Sequence, residues 1–189
     1  MKRNETMERA EALNLIHENV KNKNLIKHML ATEAIMQKVA GYFGEDVVVW
    51  GLAGLVHDLD YDKTLKTPEQ HGRLGAQMLK DAGADPKIIQ AVLSHGPSFI
   101  QERETPLDIA LFAADPLSGL IVAAALIHPQ KKLAALDTSF ILKRFKEKWF
   151  AKGANREQIR ACEKLGLPLE KFVELALTAM QEISGELGL

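Results

Sequence analysis

The sequence predicts an all-α protein, a single compact multi-helix bundle of about nine helices, and three observations support this fold class. Apolar residues recur at steps of three and four through almost the whole chain, which is the period of an amphipathic helix. Proline and glycine stand where helices typically begin and end. Only one short segment, VVVW at 47–50, has the composition of a strand, and the sequence offers no second strand to pair with it.

The first three helices follow from apolar spacing. Residues 6–19 place apolar side chains on one helical face, and residues 25–43 repeat the pattern until Gly44 stops it. Residues 45–57 are strongly apolar after an acidic start, which favours a buried helix over a strand.

The later helices follow from their caps. Three of them begin with a capping residue followed by proline, and they are predicted at 67–82, 85–95 and 105–128. Asp137 or Thr138 can cap a basic helix that runs to about residue 151, and Asn155 can cap the next one. A final amphipathic helix follows Pro168.

The composition is that of one globular domain, expected to span 1–189. The chain has 189 residues, of which 47% are apolar and 26% are charged. It carries 24 basic and 25 acidic residues, so no overall charge attracts it to nucleic acid or anionic membranes. Its one cysteine, Cys162, excludes an internal disulfide framework and a multi-cysteine metal site.

The composition also predicts a cytoplasmic protein without membrane contact. The N-terminal segment is charged and amphipathic, unlike a signal peptide. The longest apolar run, 111–127, contains Asp115 and Pro116 and is shorter than the roughly 20 residues of a membrane span. We expect it to be a buried helix.

Four of the six histidines, together with two aspartates, stand near predicted helix ends or inside apolar helices: His28, His57, Asp58, His71, His95 and Asp115. An uncompensated carboxylate at Asp115 would be costly to bury, so a cation or a hydrogen-bond donor is expected beside it. Imidazoles and carboxylates without thiolates suit iron, manganese, zinc, cobalt or nickel.

The order of these residues resembles the metal-binding signature of the HD superfamily of phosphohydrolases, a helical fold. The likeness covers about 25–127, and the helices of 137–187 look like the C-terminal part of uncharacterised HD proteins. It is closest to a small bacterial branch with an HD–HG–H–AD pattern, which includes di-iron hydrolases of symmetrical dinucleoside tetraphosphates. The corresponding letters here are HDLDYD (57–62), HGRLGA (71–76), SHG (94–96) and AAD (113–115).

The resemblance implies a ligand set for two metal ions. His28, His57, Asp58 and Asp115 would hold the first ion. Asp58 would bridge to a second ion held by His71 and His95, although these two histidines could instead hydrogen-bond substrate phosphate. Asp58 and Asp115 are the expected catalytic residues. Iron is the first expectation, with manganese, cobalt, nickel or zinc as alternatives.

The sequence departs from many relatives at one phosphate-binding position. They carry a lysine three residues after the aspartate of the doublet, where this chain has Tyr61. Lys63 or Lys66 could replace it, and Arg73 is a candidate phosphate clamp. Further candidates in the basic C-terminal segment are Arg144, Lys148 and Arg156.

The predicted function is therefore hydrolysis of a phosphate ester or anhydride of a small nucleotide, with a dinucleoside polyphosphate as the first choice of substrate. The alternatives are a mixed-valent di-iron oxygenase of the HD type and a non-catalytic module that senses a metal or a nucleotide. The expected partner is a small phosphorylated substrate rather than a long nucleic acid, and a homodimer is compatible with the sequence.

Several polar residues receive ordinary structural interpretations. His17 and His128 are expected at the surface or at helix ends. Asp60 and Asp62 are expected to be solvated loop charges, with a hydrogen bond from Asp60 to a ligand histidine as the alternative. The basic helix is expected to pack through an apolar side made of Ile141, Leu142, Phe145 and Trp149, and Cys162 is expected to be buried.

Overall fold

A computed structural model describes residues 7–189, and the start of the first predicted helix at residue 6 lies outside them. Within 7–189 the fold is all-α, with eleven α-helices and no strand, which confirms the predicted class. The helices are α1 (Arg9–Asn19), α2 (Lys23–Phe43), α3 (Val47–Val56), α4 (Tyr61–Thr64), α5 (Arg73–Asp81), α6 (Pro86–His95), α7 (Pro106–Ile127), α8 (Thr138–Lys146), α9 (Arg156–Arg160), α10 (Leu169–Glu182) and α11 (Ser184–Leu187).

Local side chains set the boundaries of the principal helices. Asp46 accepts hydrogen bonds from two backbone N–H groups at the start of α3, so the VVVW segment is the first turn of a helix. Asp85 caps α6, and Thr105 forms a capping box with Asp108 at the start of α7. Gly44 ends α2 in the left-handed conformation, with φ of 71°.

The helix predicted at 67–82 is interrupted. Pro68–Gln70 form a single 3₁₀ turn, and α5 begins only at Arg73. Between them Gly72 has φ of 81°, a conformation that glycine adopts without the steric cost of a Cβ. His71 therefore lies in the connection before α5, and the prediction of one continuous helix over 67–82, which includes His71, was wrong.

The basic helix is also shorter than predicted. It ends at Lys146 rather than near residue 151, because the backbone of Glu147 is extended. Ile141 and Phe145 are buried as expected, but Trp149 is 82% exposed in the turn that follows. The prediction that Trp149 belongs to the packed side of this helix was wrong.

Helices α2, α3 and α7 form the centre of the fold, and α2 and α3 pack most extensively against each other. A Cβ atom at Gly54 would lie 2.8 Å from the carbonyl oxygen of Thr32, so only glycine allows this approach. Helix α10 covers another side of α2, while α6 and α9 pack on α7.

Helix α7 is longer than the apolar run that predicted it. It has 22 residues, and its most apolar window of 18 residues has a mean hydropathy of 2.0, so it could cross a membrane by length and composition. However, 56% of its most apolar window is buried inside the fold, which is the pattern of a core helix. Cys162 is fully buried in the same core.

Candidate metal centre

The six predicted ligand residues come together, although they belong to five different segments. His57 is the C-cap of α3 with Asp58 directly after it, and His95 is the last residue of α6. Near these two helix ends lie His28 in the second turn of α2, Asp115 in the middle of α7, and His71 in the connection before α5.

One group of side chains surrounds His28. Its Nε2 atom lies 3.0 Å from Nε2 of His57, 3.4 Å from Oδ2 of Asp58 and 3.2 Å from Oδ1 of Asp115. Nε2 of His57 is also 3.4 Å from the same Asp58 oxygen and 3.9 Å from Oδ1 of Asp115. The ligand atoms of His28, His57 and Asp58 thus lie within 4.8 Å of one another, and an oxygen of Asp115 adjoins both histidines.

A second group forms around the other oxygen of Asp58. Oδ1 of Asp58 lies 3.3 Å from Nε2 of His71 and 3.6 Å from Nε2 of His95. The two histidine nitrogens are 3.1 Å apart. Since Oδ2 faces the first group and Oδ1 faces the second, Asp58 stands between two sets of atoms that could each hold a metal ion.

Hydrogen bonds fix the orientation of all four imidazole rings. Each Nδ1 atom lies beside an oxygen acceptor and therefore carries the hydrogen, which leaves the Nε2 atom directed at the cluster. The acceptors are Ser118 Oγ for His28 (2.8 Å), Gly54 O for His57 (2.8 Å), Asp60 Oδ1 for His71 (2.7 Å) and Val92 O for His95 (2.5 Å). Two Nε2 lone pairs about 3 Å apart require a positive charge between them, either a proton or a metal ion.

The charges of the cluster favour such a cation. Burial alone would lower the pKa of His28, but hydrogen bonds to Asp115 and Asp58 outweigh it and raise this pKa to about 10. The same competition raises the pKa of His71 to about 10. Burial would raise the pKa of Asp58, whereas the charge of His57 and hydrogen bonds from His28 hold it well below its usual range.

Asp60 is part of this arrangement. It is fully buried, and besides His71 its carboxylate accepts the backbone N–H groups of Gly72 (2.9 Å) and Gly75 (2.7 Å). The expectation of a solvated loop charge was therefore wrong, and the alternative of a hydrogen bond to a ligand histidine is the one observed. Asp62 is a different case, since it accepts the exposed N–H of Lys21 at 2.8 Å.

The two glycines that follow His71 and His95 allow these histidines to meet. A Cβ atom at Gly96 would collide with the carbonyl oxygen of His71, and one at Gly72 would lie 3.0 Å from the Cα of Gly96. The backbones of the two HG dipeptides can pack this closely only because both second residues lack a side chain.

Sequence reasoning missed Ser118. This residue is buried, its hydroxyl donates to the carbonyl oxygen of Asp115 at 2.9 Å, and its oxygen accepts the Nδ1 hydrogen of His28. The available signal was its position three residues after Asp115, which places both on the same side of one helical turn. A lone serine in an apolar helix is otherwise unremarkable, because it can bond to its own backbone.

Among the predicted phosphate-binding residues, Arg73 lies beside the cluster. It lines a cavity of about 220 Å³ together with His71, Ser98 and Gln101. Tyr61, which stands at the lysine position of many relatives, lies beside His71, with the centres of the two rings 5.4 Å apart.

The other predicted cations are less closely tied to the cluster. Lys63 donates to Oδ1 of Asn19 at 2.7 Å, and Lys66 and Lys148 are exposed. Arg144 pairs with Glu147 at 2.9 Å. These four residues remain predictions.

Arg156 has a structural role instead of the predicted phosphate contact. Its guanidinium group donates to backbone carbonyl oxygens around the turn after α8, including those of Phe150 (2.6 Å), Ala151 (2.8 Å) and Ala154 (2.6 Å). These bonds occupy its donors and hold the turn together, so the prediction that Arg156 clamps phosphate was wrong.

The fold and the cluster together define a class: a helical protein whose histidines and aspartates could hold metal ions at helix ends. Residues 25–120, half of the chain, match the HD domain family. The chain therefore belongs to the HD domain family, a superfamily of metal-dependent hydrolases, and the predicted resemblance is confirmed.

Curated relatives agree with this placement. Ribonuclease Y of Geotalea uraniireducens is 32% identical over 98 residues, and ribonuclease Y of Geobacter sulfurreducens is 31% identical over 101 residues. Each match covers 52% of this chain and 18% of the relative. Ribonuclease Y 1 of Pediococcus pentosaceus is 25% identical over 124 residues, covering 62% of this chain and 24% of the relative. The chain thus spans less than a quarter of these relatives, and no solved structure matches it significantly.

Proposed function

We propose that this protein is a metal-dependent phosphohydrolase that cleaves a phosphate ester or anhydride of a small nucleotide. The observation that carries the proposal is the position of Asp58, whose two carboxylate oxygens face separate groups of histidine nitrogens. Membership of the HD domain family supports the same class of reaction. A dinucleoside polyphosphate is the first substrate to test.

The donor atoms fit two ions. Ligand atoms about 2.1 Å from a common ion lie roughly 3.0–3.4 Å apart in octahedral or tetrahedral geometry. The distance of 3.0 Å between His28 and His57 and that of 3.1 Å between His71 and His95 lie in this range. His28, His57, Asp58 and Asp115 would hold one ion, and Asp58, His71 and His95 the other. Nitrogen and oxygen donors without a thiolate suit iron, with manganese, cobalt, nickel and zinc as alternatives.

Asp58, Asp115 and Arg73 would then have different roles in the reaction. Bound divalent ions lower the pKa of a water molecule and bind phosphoryl oxygens. Asp58 stays buried and charged, with 7% of its side chain exposed, while the side chain of Asp115 is 27% exposed. Asp115 is thus the more accessible of the two carboxylates, and as a ligand of the first ion it would lie next to the attacking water. Arg73 would bind the phosphate of the substrate in the cavity that it shares with His71.

A second candidate substrate is RNA. The three relatives described above are named ribonuclease Y, and hydrolysis of an RNA phosphodiester would use the same arrangement of donors. The nearly balanced charge of the chain, 24 basic against 25 acidic residues, favours the small nucleotide.

The test measures metal content and hydrolysis together. Protein loaded with iron or manganese would be assayed on diadenosine tetraphosphate, on mononucleotides and on an end-labelled RNA oligomer. His57→Ala and Asp58→Ala should abolish hydrolysis, whereas His17→Ala should not, because His17 is an exposed histidine outside the cluster. The proposal predicts cleavage of diadenosine tetraphosphate or of at least one of the mononucleotides.

Other outcomes would contradict it. Tight nucleotide binding without turnover would favour the sensing module, and oxygen uptake that depends on iron would favour the oxygenase. Cleavage of the RNA oligomer alone would replace the nucleotide by RNA as the substrate. Equal hydrolysis by the wild type and the Asp58→Ala variant would reject the site.

A further inference from the structure

The turn that follows α8 presents a tryptophan to solvent. We call residues 147–154 the basic turn. Its Trp149 is 82% exposed, although a tryptophan side chain gains more than most from burial. A single apolar residue at a protein surface is ordinary. The shape of the turn and the charges around it therefore decide whether this ring has a role.

The basic turn is held in a fixed shape. The guanidinium group of Arg156 donates to six backbone carbonyl oxygens of residues 144–154, at distances of 2.6–3.4 Å. One of these oxygens belongs to Ala151, whose φ of 43° is uncommon for a residue other than glycine. The ring of Trp149 is itself held by Lys152, whose Nζ atom lies 4.1 Å from the ring centre. The tryptophan is thus presented by an ordered turn.

The segment that contains the turn is basic. Residues 143–156 include six basic residues and one acidic residue, whereas the whole chain has 24 and 25. The acidic residue, Glu147, pairs with Arg144 at 2.9 Å. The four lysines of the segment are exposed, and none of them forms an ion pair within residues 7–189: Lys143, Lys146, Lys148 and Lys152. The balanced overall charge predicts a chain without membrane contact, but it does not describe this segment.

An exposed tryptophan among lysines fits a partner that is anionic at its surface and apolar below it. Tryptophan rings concentrate at the boundary between lipid and water, where the ring is covered and the indole N–H stays hydrated. A lysine near an anionic bilayer strengthens binding about fivefold. Single-stranded nucleic acid is also anionic, but its binding sites combine a basic groove with rings on which bases stack. Trp149 protrudes from a turn, and Lys152 already covers one face of its ring, so the bilayer is the better fit.

We propose that the basic turn docks this protein reversibly on anionic lipid bilayers, with Trp149 at the lipid–water boundary and Lys148 and Lys152 beside the lipid phosphates. None of the candidate metal ligands takes part, so the contact is independent of the hydrolytic reaction proposed above. The binding is weak, because a single small anchor gives only marginal, reversible attachment to a membrane.

Sedimentation with sucrose-loaded vesicles measures the binding. Vesicles of phosphatidylcholine with about 30% phosphatidylserine should carry the protein down, with half-maximal binding at a lipid concentration on the order of 0.1 mM. Vesicles of phosphatidylcholine alone should not. Salt at about 1 M should release the protein, because it screens the lysines. Lipids with brominated chains should quench the fluorescence of Trp149, whereas Trp50, which is 3% exposed in the core, should not be quenched.

Three variants make the test specific. Trp149→Ala should weaken binding roughly tenfold and abolish the quenching. Lys148→Glu combined with Lys152→Glu should weaken binding by about 25-fold or more, since each lysine contributes about fivefold. The matched control combines Lys80→Glu with Lys87→Glu, which changes the net charge equally at exposed positions of α5 and α6. It should bind as the wild type does.

The outcomes separate clearly. Binding should persist in EDTA, since no metal ligand is involved. Equal binding to vesicles with and without phosphatidylserine would overturn the proposal, and so would equal losses in the two double variants. The lack of any sedimentation at about 2 mM lipid, roughly 20 times the expected midpoint, would do the same. If a single-stranded RNA oligomer bound through Trp149 and vesicles did not bind, the basic turn would belong to a nucleic-acid site instead.

Discussion

His71 donates its Nδ1 hydrogen to Oδ1 of Asp60 over 2.7 Å, and Asp60 is completely buried. The same carboxylate accepts two backbone N–H groups at the start of α5, so the ring of His71 is held by a carboxylate that is itself fixed. A carboxylate behind a histidine ligand sets its tautomer and increases its basicity. This contact aligns the second group of donors.

Asp60→Asn should therefore weaken the second metal ion selectively. The amide removes the charge and turns an NH₂ group towards N–H donors, so we expect a loss of about 10- to 100-fold in affinity for that ion, with the first ion retained. Titration of metal-free protein with iron or manganese, followed by elemental analysis, measures this. Asp62→Asn is the matched control because Asp62 accepts the exposed backbone N–H groups of Lys21 and Asn22 and is not one of the cluster residues. Two tightly bound ions in Asp60→Asn would contradict the assignment.

Ser118→Ala should affect the first ion instead. Its hydroxyl accepts the Nδ1 hydrogen of His28 at 2.8 Å, and alanine leaves this group without an acceptor. We expect about a tenfold loss of affinity at the first site and little change at the second. Thr178→Ala provides a control, since Thr178 makes a hydroxyl-to-carbonyl bond on the exposed surface of α10. Equal weakening of both ions would show that Ser118 acts on the fold as a whole.

Gly96→Ala should displace His71. The new methyl group would collide with the carbonyl oxygen of His71, so the segment 71–72 must shift. We expect a loss of stability of about 1–3 kcal/mol and loss of the second ion. Thermal unfolding and metal analysis measure the two effects.

Gly119→Ala is the control for that substitution. Gly119 is an exposed residue within α7, and a Cβ atom at this position would meet no other part of residues 7–189 within 4 Å. Alanine should therefore stabilise the helix by about 0.5–1 kcal/mol. A Gly96→Ala protein with unchanged stability and two ions would show that the HG dipeptides tolerate a side chain.

Cys162 should be unreactive in the folded protein. Burial raises the pKa of its thiol to about 12, and the residue is fully covered by the core. Since the thiolate is the reactive form, a disulfide reagent such as DTNB at pH 8 should label less than one thiol in a hundred chains within minutes. Labelling should become complete in guanidinium chloride, which serves as the control. Rapid labelling without denaturant would mean that this part of the core opens readily.

Local chemistry explains why most of the fold was predictable. The starts of α3, α6 and α7 depend on a capping side chain next to an apolar or proline-led segment, and both can be recognised in the sequence. The break at Gly72 was not predictable in the same way. Its positive φ occurs where the backbone of Gly72 packs against Gly96, which lies 24 residues further along the chain.

The candidate site also combines features that the sequence determines with features that depend on the tertiary structure. The sequence by itself determined the helical class and the six residues that meet in the cluster, because the types and order of His28, His57, Asp58, His71, His95 and Asp115 are a property of the chain. Only the tertiary structure decided how they are held. Asp60 and Ser118 act through contacts with His71 and His28. Such contacts depend on how helices pack, and no periodicity within one segment encodes them.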